Sequence, residues 1–248
     1  IQDIYGKTNG PAFDQRFFSP LNWALSWLGE FSQAFQQWGH DYRPAWAQGA
    51  NGWNLGPEVE DELTELTLLI EYRPAVMGEC IAQINDIEDD FRGILSYSRL
   101  THPNTSKLVG LAQECSTLAV MHFKRTYARQ RPSQMSPMLM PPIDPPEHAS
   151  FPSGHATQSQ AMSMVLRELM PDLTANHFGQ SATAPRPPLV RDPLQDMADR
   201  IGRNREVMGL HYRSDTEAGQ ALGSDVYDTL KNHMPGLNQL WADAAAEW

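Results

Sequence analysis

Apolar side chains recur along most of this chain at the three- and four-residue spacing of amphipathic helices. The clearest stripe lies at 21–39, where Trp23, Trp27 and Phe31 share one broad face. The same periodicity predicts helices at 58–71 and 75–98, separated by Pro74, and at 105–129, 155–169, 194–208, 215–231 and 235–247. No alternation of β-branched and aromatic residues predicts a strand. The sequence therefore predicts an all-α fold, a single helical domain over residues 1–248 with a motif-bearing core at about 105–231.

Two proline-rich segments interrupt the helical pattern, at 131–152 and at 171–193. Proline lacks an amide hydrogen and restricts its predecessor, so the sequence predicts that neither segment has regular structure. The first segment connects two groups of candidate active-site residues, and we expect it to form an ordered wall of the site. Its Met135, Met138, Leu139 and Met140 suit either an adaptable apolar wall or ordinary packing. The second segment is interpreted as a lid or as an insertion.

Composition restricts the possible functions of the chain more than it restricts the possible folds. The 248 residues are 41% hydrophobic, enough for a sizeable core, and the formal net charge of −11 disfavours binding to nucleic acid or anionic lipid. No apolar stretch is long enough to span a bilayer and the mean hydropathy is −0.48, so we expect a soluble chain. Cys80 and Cys115 can form one disulfide or remain buried free thiols. The first residue is Ile1, and whether a leader precedes it stays open, as does the oligomeric state.

The first candidate motif is basic and runs from Lys124 to Pro132 (KRTYARQRP). Lys124 and Arg131 are seven residues apart, so both face one way if the helix persists that far. Pro132 disfavours helical geometry at Arg131 and turns its guanidinium, a forked donor for two anion oxygens, out at the rim. The alternative interpretation is a solvated basic helix end.

The second motif, Phe151-Pro152-Ser153-Gly154-His155, precedes a predicted helix. Ser153 or Gly154 falls at or near the N-cap, where free amides and a glycine that admits close approach make a cradle for an anion. His155 then lies in the first turn beside any bound anion. The alternative is an ordinary Ser-Gly cap with a surface histidine.

The third motif runs from Asn204 to Asp215 (NREVMGLHYRSD) and contains Arg205 and His211. Asp215 follows His211 by four residues, so its carboxylate can accept from one imidazole nitrogen and leave the other as a lone pair. Arg205 adds a third cation. Asp215 also suits a helix cap, and the two roles are compatible.

The order and spacing of these motifs, Lys-x6-Arg-Pro, then Pro-Ser-Gly-His, then Arg-x5-His-x3-Asp, resemble the signature of the type 2 phosphatidic-acid phosphatase and vanadium haloperoxidase superfamily. The resemblance covers about Lys124 to Asp215 and the following helix, and it implies a helical bundle of the acid phosphatase and haloperoxidase type. Asn204 stands where the family pattern usually has serine, which affects only a hydrogen bond near the site.

The resemblance also implies a role for each matching position. Phosphate or vanadate oxygens would be bound by five residues that we call the cage residues: Lys124, Arg131, Ser153, Gly154 and Arg205. His211 would be the phosphatase nucleophile, with Asp215 orienting it, and His155 the general acid that protonates the leaving oxygen. In a haloperoxidase the same site would hold vanadate as cofactor, with His211 as its axial ligand.

Two enzyme classes therefore compete. The length is close to that of the soluble class A acid phosphatases, which favours hydrolysis of a small phosphate ester without a cofactor. His148, seven residues before His155, matches a histidine of bromoperoxidases and favours vanadate-dependent oxidation of halide by peroxide, with His148 near the halide; the alternative is a solvent-facing histidine. An inactive oxyanion-binding scaffold is a third possibility, although every matching polar position is intact. Relatives in the family also imply a periplasmic or secreted location.

Overall fold

The computed structural model describes residues 20–36, 38–48, 52–53, 56–170 and 192–248, and every regular element in these ranges is helical. This confirms the all-α prediction. None of the described helices is both long and apolar enough to cross a membrane. The helices, numbered in chain order, are α1 (Pro20–Leu25), α2 (Leu28–Phe35), α3 (Pro57–Leu68), α4 (Arg73–Ala82), α5 (Glu88–Leu95), α6 (Pro103–Tyr127), α7 (Pro132–Met135), α8 (Gly154–Leu169), α9 (Pro193–Val207), α10 (Arg213–Asp228) and α11 (Asn238–Ala245).

Several predicted helices are shorter or divided. The segment 21–39 forms α1 and α2, because the chain turns where Ser26 and Trp27 donate back to Trp23 and Ala24. The segment 75–98 forms α4 and α5, and the Asp86 carboxylate favours the break by accepting from the amide of Glu88 at 2.7 Å. Beyond α10, residues 229–233 widen into a π-helical turn, and α11 begins only after a 3-10 turn at 235–237. Hydrophobic periodicity does not register such one-turn interruptions.

The prediction that 131–152 has no regular structure was wrong. This segment contains α7 and a 3-10 turn, Pro137–Leu139. Pro132 and Pro137 stand at the starts of these elements, where a missing amide hydrogen costs nothing. Most of the second proline-rich segment, 171–191, lies outside the described residues. Its end is ordered, because Asp192 caps α9 by accepting from the amides of Leu194 and Gln195.

The long helix α6 lies in the main hydrophobic core, packed against α8, α10, α11 and the aromatic α1 and α2. A smaller cluster lies between α3 and the end of α9 and includes Val59, Leu66, Leu139 and Tyr212. Cys80 and Cys115 are both buried and free, so the thiol alternative is the one observed. The core fixes α6, α8 and α10, which carry or flank the three motifs.

Helices α8 and α10 approach each other closely because glycine faces the contact. A Cβ at Gly219 would lie 2.6 Å from the carbonyl oxygen of Ser153, and one at Gly223 would lie 2.5 Å from that of Thr157. Glycine is needed at both positions because real Cβ atoms do not approach so closely. The contact brings the start of α8, with the second motif, against the start of α10, with the third.

We therefore expect Gly223→Ala to lower the free energy of unfolding by about 1–3 kcal/mol, since overpacking outweighs the gain in helix propensity. The matched control is Gly93→Ala in α5, where no atom lies within 4 Å of the added Cβ and where we expect a gain of about 0.5–1 kcal/mol. Urea unfolding of both variants measures the difference. Equal stabilisation by the two substitutions would contradict this account of the contact.

Candidate active site

Lys124 occupies the last turn of α6, and its side chain is buried. The helix ends at Tyr127 because Ala128 adopts a left-handed conformation, so Arg131 does not continue the helical face as the first motif allowed. The amine of Lys124 turns inward and donates to the carbonyl oxygens of Ala149 and Ser150, both at 2.7 Å. The basic end of α6 is therefore folded into the protein, and the interpretation as a solvated helix end was wrong.

Arg131 is extended, as expected for a residue before proline, and also buried. Its Nη1 donates to the carbonyl of Leu210 at 2.9 Å and to Nε2 of His211 at 3.0 Å. Its Nε donates to the carbonyl of His148, and its Nη2 lies 3.0 Å from Nδ1 of that residue. His148 is exposed, yet it touches a cage residue, so the purely solvent-facing alternative does not hold.

Ser153 is the N-cap of α8, and Gly154 and His155 form its first turn, as the second motif predicts. The amides of a helix's first turn have no partner within the helix, so they remain as donors at this point. The Ser153 hydroxyl is buried and has no hydrogen-bond partner in the described part of the chain. The Ser153 amide donates to the carbonyl of Asp215 at 2.9 Å, which joins the second and third motifs directly.

His211 is buried with one defined tautomer. Because a guanidinium can only donate, Nε2 of His211 must accept from Arg131, and Nδ1 carries the hydrogen. Nδ1 lies 3.1 Å from Oδ2 of Asp215, which also accepts from the amide of Tyr212 at 3.1 Å. Asp215 thus both orients His211 and caps α10. Burial and the Arg131 charge hold the pKa of His211 well below its usual value, so the ring is neutral.

The sequence reasoning missed the group that holds Asp215. Arg129 is buried and donates to Oδ1 of Asp215 and to the hydroxyl of Ser214, each at 2.7 Å, and to Glu62 at 2.6 Å. Burial is the largest single influence and would raise the pKa of Asp215, but the charge of Arg129 and the hydrogen bonds from His211 and Ser150 together outweigh it and keep that pKa below the usual range. Arg129 lies within the first motif, but its partner Glu62 belongs to a distant helix that a single sequence does not connect to it.

Arg205 is buried near the end of α9, and it uses only part of its guanidinium. Its Nη2 donates to the carbonyl of Cys80 at 3.2 Å and to the side-chain oxygen of Gln83 at 2.9 Å. Its Nε is buried and unpartnered as far as the described residues extend. Asn204, which replaces the usual serine, donates to the same Gln83 oxygen at 3.2 Å. His155 closes this side of the site, with Nε2 2.8 Å from the backbone carbonyl of Gln83.

Contacts between the motifs show that the predicted residues meet in one place. Lys124 donates a hydrogen bond to the segment before Ser153, and Arg131 donates one to His211. The amide of Ser153 donates one to the carbonyl of Asp215. An ammonium has three donors and a guanidinium five, so after the hydrogen bonds of the described residues are subtracted, Lys124 and Arg131 each retain one and Arg205 retains three. Together with the Ser153 hydroxyl and the amides at the start of α8, these donors suit a polyoxygen anion.

Crowding of positive charge lowers the pKa of the groups that can lose a proton. Burial, and then Arg131, lower the pKa of Lys124 to about 7. Burial and Arg205 lower the pKa of His155 to about 4, so the ring is neutral at neutral pH and its Nε2–H donates to Gln83. Burial and Lys124 lower the pKa of His148 as well. A bound anion would oppose the part of each shift that the neighbouring cations cause.

A cavity of about 300 Å³ lies next to Arg129. Trp53, Val59, Met135 and Tyr212 line it together with Arg129, whose guanidinium lies 3.7 Å from the Tyr212 ring centroid. Of the four apolar residues at 135–140, Met135 therefore contributes to a wall. Leu139 is buried in the core, whereas Met138 and Met140 are exposed.

Two comparisons with known proteins agree with this geometry. Residues 135–238 match the family model described as the VCPO second helical-bundle domain. The chain is also 31% identical, over 103 residues, to decaprenylphosphoryl-5-phosphoribose phosphatase from Mycobacterium tuberculosis strains H37Rv and CDC 1551. That match covers 42% of this chain and 46% of each relative, so the chain spans about half the length of the curated relatives it matches.

One match leads to a haloperoxidase helical bundle and the other to a phosphatase, which are the two branches that the motifs share. Both matches support the type 2 phosphatidic-acid phosphatase and vanadium haloperoxidase superfamily that the motifs resemble. An enzyme of the phosphatase superfamily is the class of protein that these matches support.

The pKa of Lys124 predicts how anion affinity depends on pH. Sulfate is a suitable probe because its charge is constant over the relevant range. Lys124 is charged below about pH 7 and loses its charge above it, so the contribution of Lys124 to sulfate affinity should be constant below that value, whereas protonation of His155 strengthens binding only at lower pH. Above about pH 7, the affinity should fall by up to about tenfold per pH unit. Calorimetric titration at constant ionic strength measures this, with Lys124→Met as the control that should bind weakly without the same slope. An identical slope in both proteins would refute the assignment.

Proposed function

We propose that this chain hydrolyses phosphate monoesters through a phosphohistidine on His211. The observation that carries the proposal is the state of His211: a buried, neutral imidazole with its Nε2 lone pair directed toward Arg131, in a site where the described residues leave the Ser153 hydroxyl and Arg205 Nε without a partner. A lone pair held in this way is a nucleophile, and the surrounding donors match the oxygens of a transferring phosphoryl group.

In the proposed first step, Nε2 of His211 attacks phosphorus and the bond from phosphorus to the ester oxygen breaks. The Arg131 N–H that donates to Nε2 keeps its proton and redirects its hydrogen bond to a phosphoryl oxygen, so the lone pair of the nucleophile is released as the substrate binds. The leaving oxygen takes a proton from His155. Water then attacks phosphorus, His155 takes one of its protons, and phosphate leaves with His211 regenerated.

The electrostatics of the two histidines support this division of roles. Asp215 stays ionised beside Arg129, so it can hold the Nδ1 hydrogen of His211 and stabilise the positive charge that develops on the ring. Burial and then the charge of Arg205 lower the pKa of His155. A dianionic ester raises that pKa, so protonation of His155 is coupled to substrate binding. The curated relatives named as phosphatases support hydrolysis as the reaction.

His211→Ala should lower the turnover of an aryl phosphate by about 1000-fold or more, because the covalent route is lost. Asp215→Asn should lower it by at least about 100-fold through the wrong tautomer. His233→Ala, which removes an exposed histidine, is the matched control and should be unchanged. Phosphate release gives the rates, and rapid quenching with labelled substrate should detect phosphohistidine in the parent protein. Ordinary turnover by His211→Ala would exclude the proposed nucleophile.

Vanadate-dependent oxidation of halide is the second candidate, supported by the VCPO family match and by the contact of His148 with Arg131. Vanadate is a tetrahedral oxyanion, and the unpartnered Ser153 hydroxyl and Arg205 Nε are donors that fit it. The cage residues would hold its oxygens and His211 would bind its vanadium through Nε2. When bound, vanadate supplies the activation of hydrogen peroxide toward halide.

Paired assays on one preparation separate the two functions. We expect steady phosphate release from an aryl phosphate, inhibited by vanadate, and little bromination of a dye by peroxide and bromide after vanadate is added. His148→Ala should leave phosphate release within about threefold, since His148 contacts Arg131 only from the exposed side. Robust bromination that falls in His148→Ala, without phosphate release, would replace hydrolysis by the second candidate.

A further inference from the structure

One residue outside the three motifs touches both sides of the proposed chemistry. Gln83 is the C-cap of α4 and is buried. Its backbone carbonyl lies 2.8 Å from Nε2 of His155, and its side-chain oxygen accepts from Nη2 of Arg205 at 2.9 Å. A C-terminal helix carbonyl has no partner within its helix, so this one is available to the histidine.

We propose that Gln83 is a positioning residue that holds His155 through its carbonyl and Arg205 through its amide while leaving the charge of Arg205 intact. The inference rests on the proposed function, in which His155 moves the proton and Arg205 binds the anion. It adds that a neutral partner is required at position 83.

The chemistry of the amide explains the requirement. A carboxylate on Arg205 would form an ion pair and cancel a charge that the anion needs, whereas an amide oxygen orients the guanidinium without neutralising it. An acidic residue, Asp90, lies nearby but contacts Gln83 and not Arg205. The Gln83 amide nitrogen donates to Asp90 of α5 at 2.8 Å, so Gln83 stands between Asp90 and Arg205.

A negative charge at position 83 would also affect His155. The charged groups facing His155 are Arg205 on α9, Lys124 on α6 and Arg131 before α7, and all three are cations. A carboxylate at position 83 would offset the nearest of them. The imidazolium would then form at a higher pH in the absence of the anion, and its protonation would be less tightly coupled to substrate binding.

The test moves the negative charge from position 90 to position 83, which contacts Arg205 directly. The double variant Gln83→Glu with Asp90→Asn keeps the net charge and keeps a donor opposite position 83. We expect it to raise the pKa of His155 to above about 5 and to weaken sulfate binding by on the order of tenfold. Asp90→Asn alone is the control, and it should leave both quantities close to their values in the parent protein. Histidine NMR titration and calorimetry measure them.

A second variant separates positioning from charge and remains informative if the double variant does not fold. Gln83→Met removes the side-chain acceptor but keeps the backbone carbonyl. It should weaken sulfate binding by about tenfold while the pKa of His155 stays unchanged. Far-ultraviolet circular dichroism verifies that each variant is folded. Sulfate affinity equal to that of the parent protein in both folded variants would overturn the role of Gln83.

Neither readout depends on turnover, so the inference and the proposed function fail separately. The predicted shifts in a protein without phosphatase activity would leave Gln83 as the positioning residue of an anion site and remove only the hydrolysis. Full phosphatase activity with unshifted titration and binding in the variants would do the reverse.

Discussion

The structure depends on how it solvates buried cations that have no acid partner. No carboxylate of the described chain lies within ion-pair distance of Lys124, Arg131 or Arg205, and the same holds for Arg73. An unpaired buried charge costs several kcal/mol unless dipoles replace the water it has lost. Main-chain carbonyls supply those dipoles, from Cys80, Leu139, Met140, His148, Ala149, Ser150, Val207 and Leu210. The carbonyl groups of the irregular segments around the site therefore take the place of water in stabilising the buried positive charges.

The other half of the site follows the opposite rule. Asp215 is fully buried but saturated by donors, and Arg129 together with Glu62 completes an alternating series of charges behind His211. The charges in this half are neutralised, because each one faces an opposite charge. The cationic half is open, with donors that no described group uses. The boundary between them runs through the contact of Arg131 with His211, where an incoming anion would bind.

The sequence predicted the helical class and the residues that meet at the site, because periodicity and motif spacing are local properties that one chain displays. It did not predict that the helix of Lys124 ends at Tyr127, where Ala128 is left-handed, nor the helices within the proline-rich segment. Arg129 and Gln83 were missed for a different reason. Their importance comes from contacts with Glu62, His155 and Arg205. These partners lie far from Arg129 and Gln83 in sequence, so no local pattern indicates the contacts.

The low pKa of Lys124 has a consequence for the end of the proposed reaction. Arginine does not lose its proton in a protein, so Arg131 and Arg205 would grip the released phosphate as firmly as they gripped the ester. Lys124 is the cage cation whose charge can be given up near neutral pH. Bound product raises that pKa, so the proton would leave Lys124 as the product departs, and mild alkalinity would hasten the emptying of the site even as it weakens capture of the next substrate.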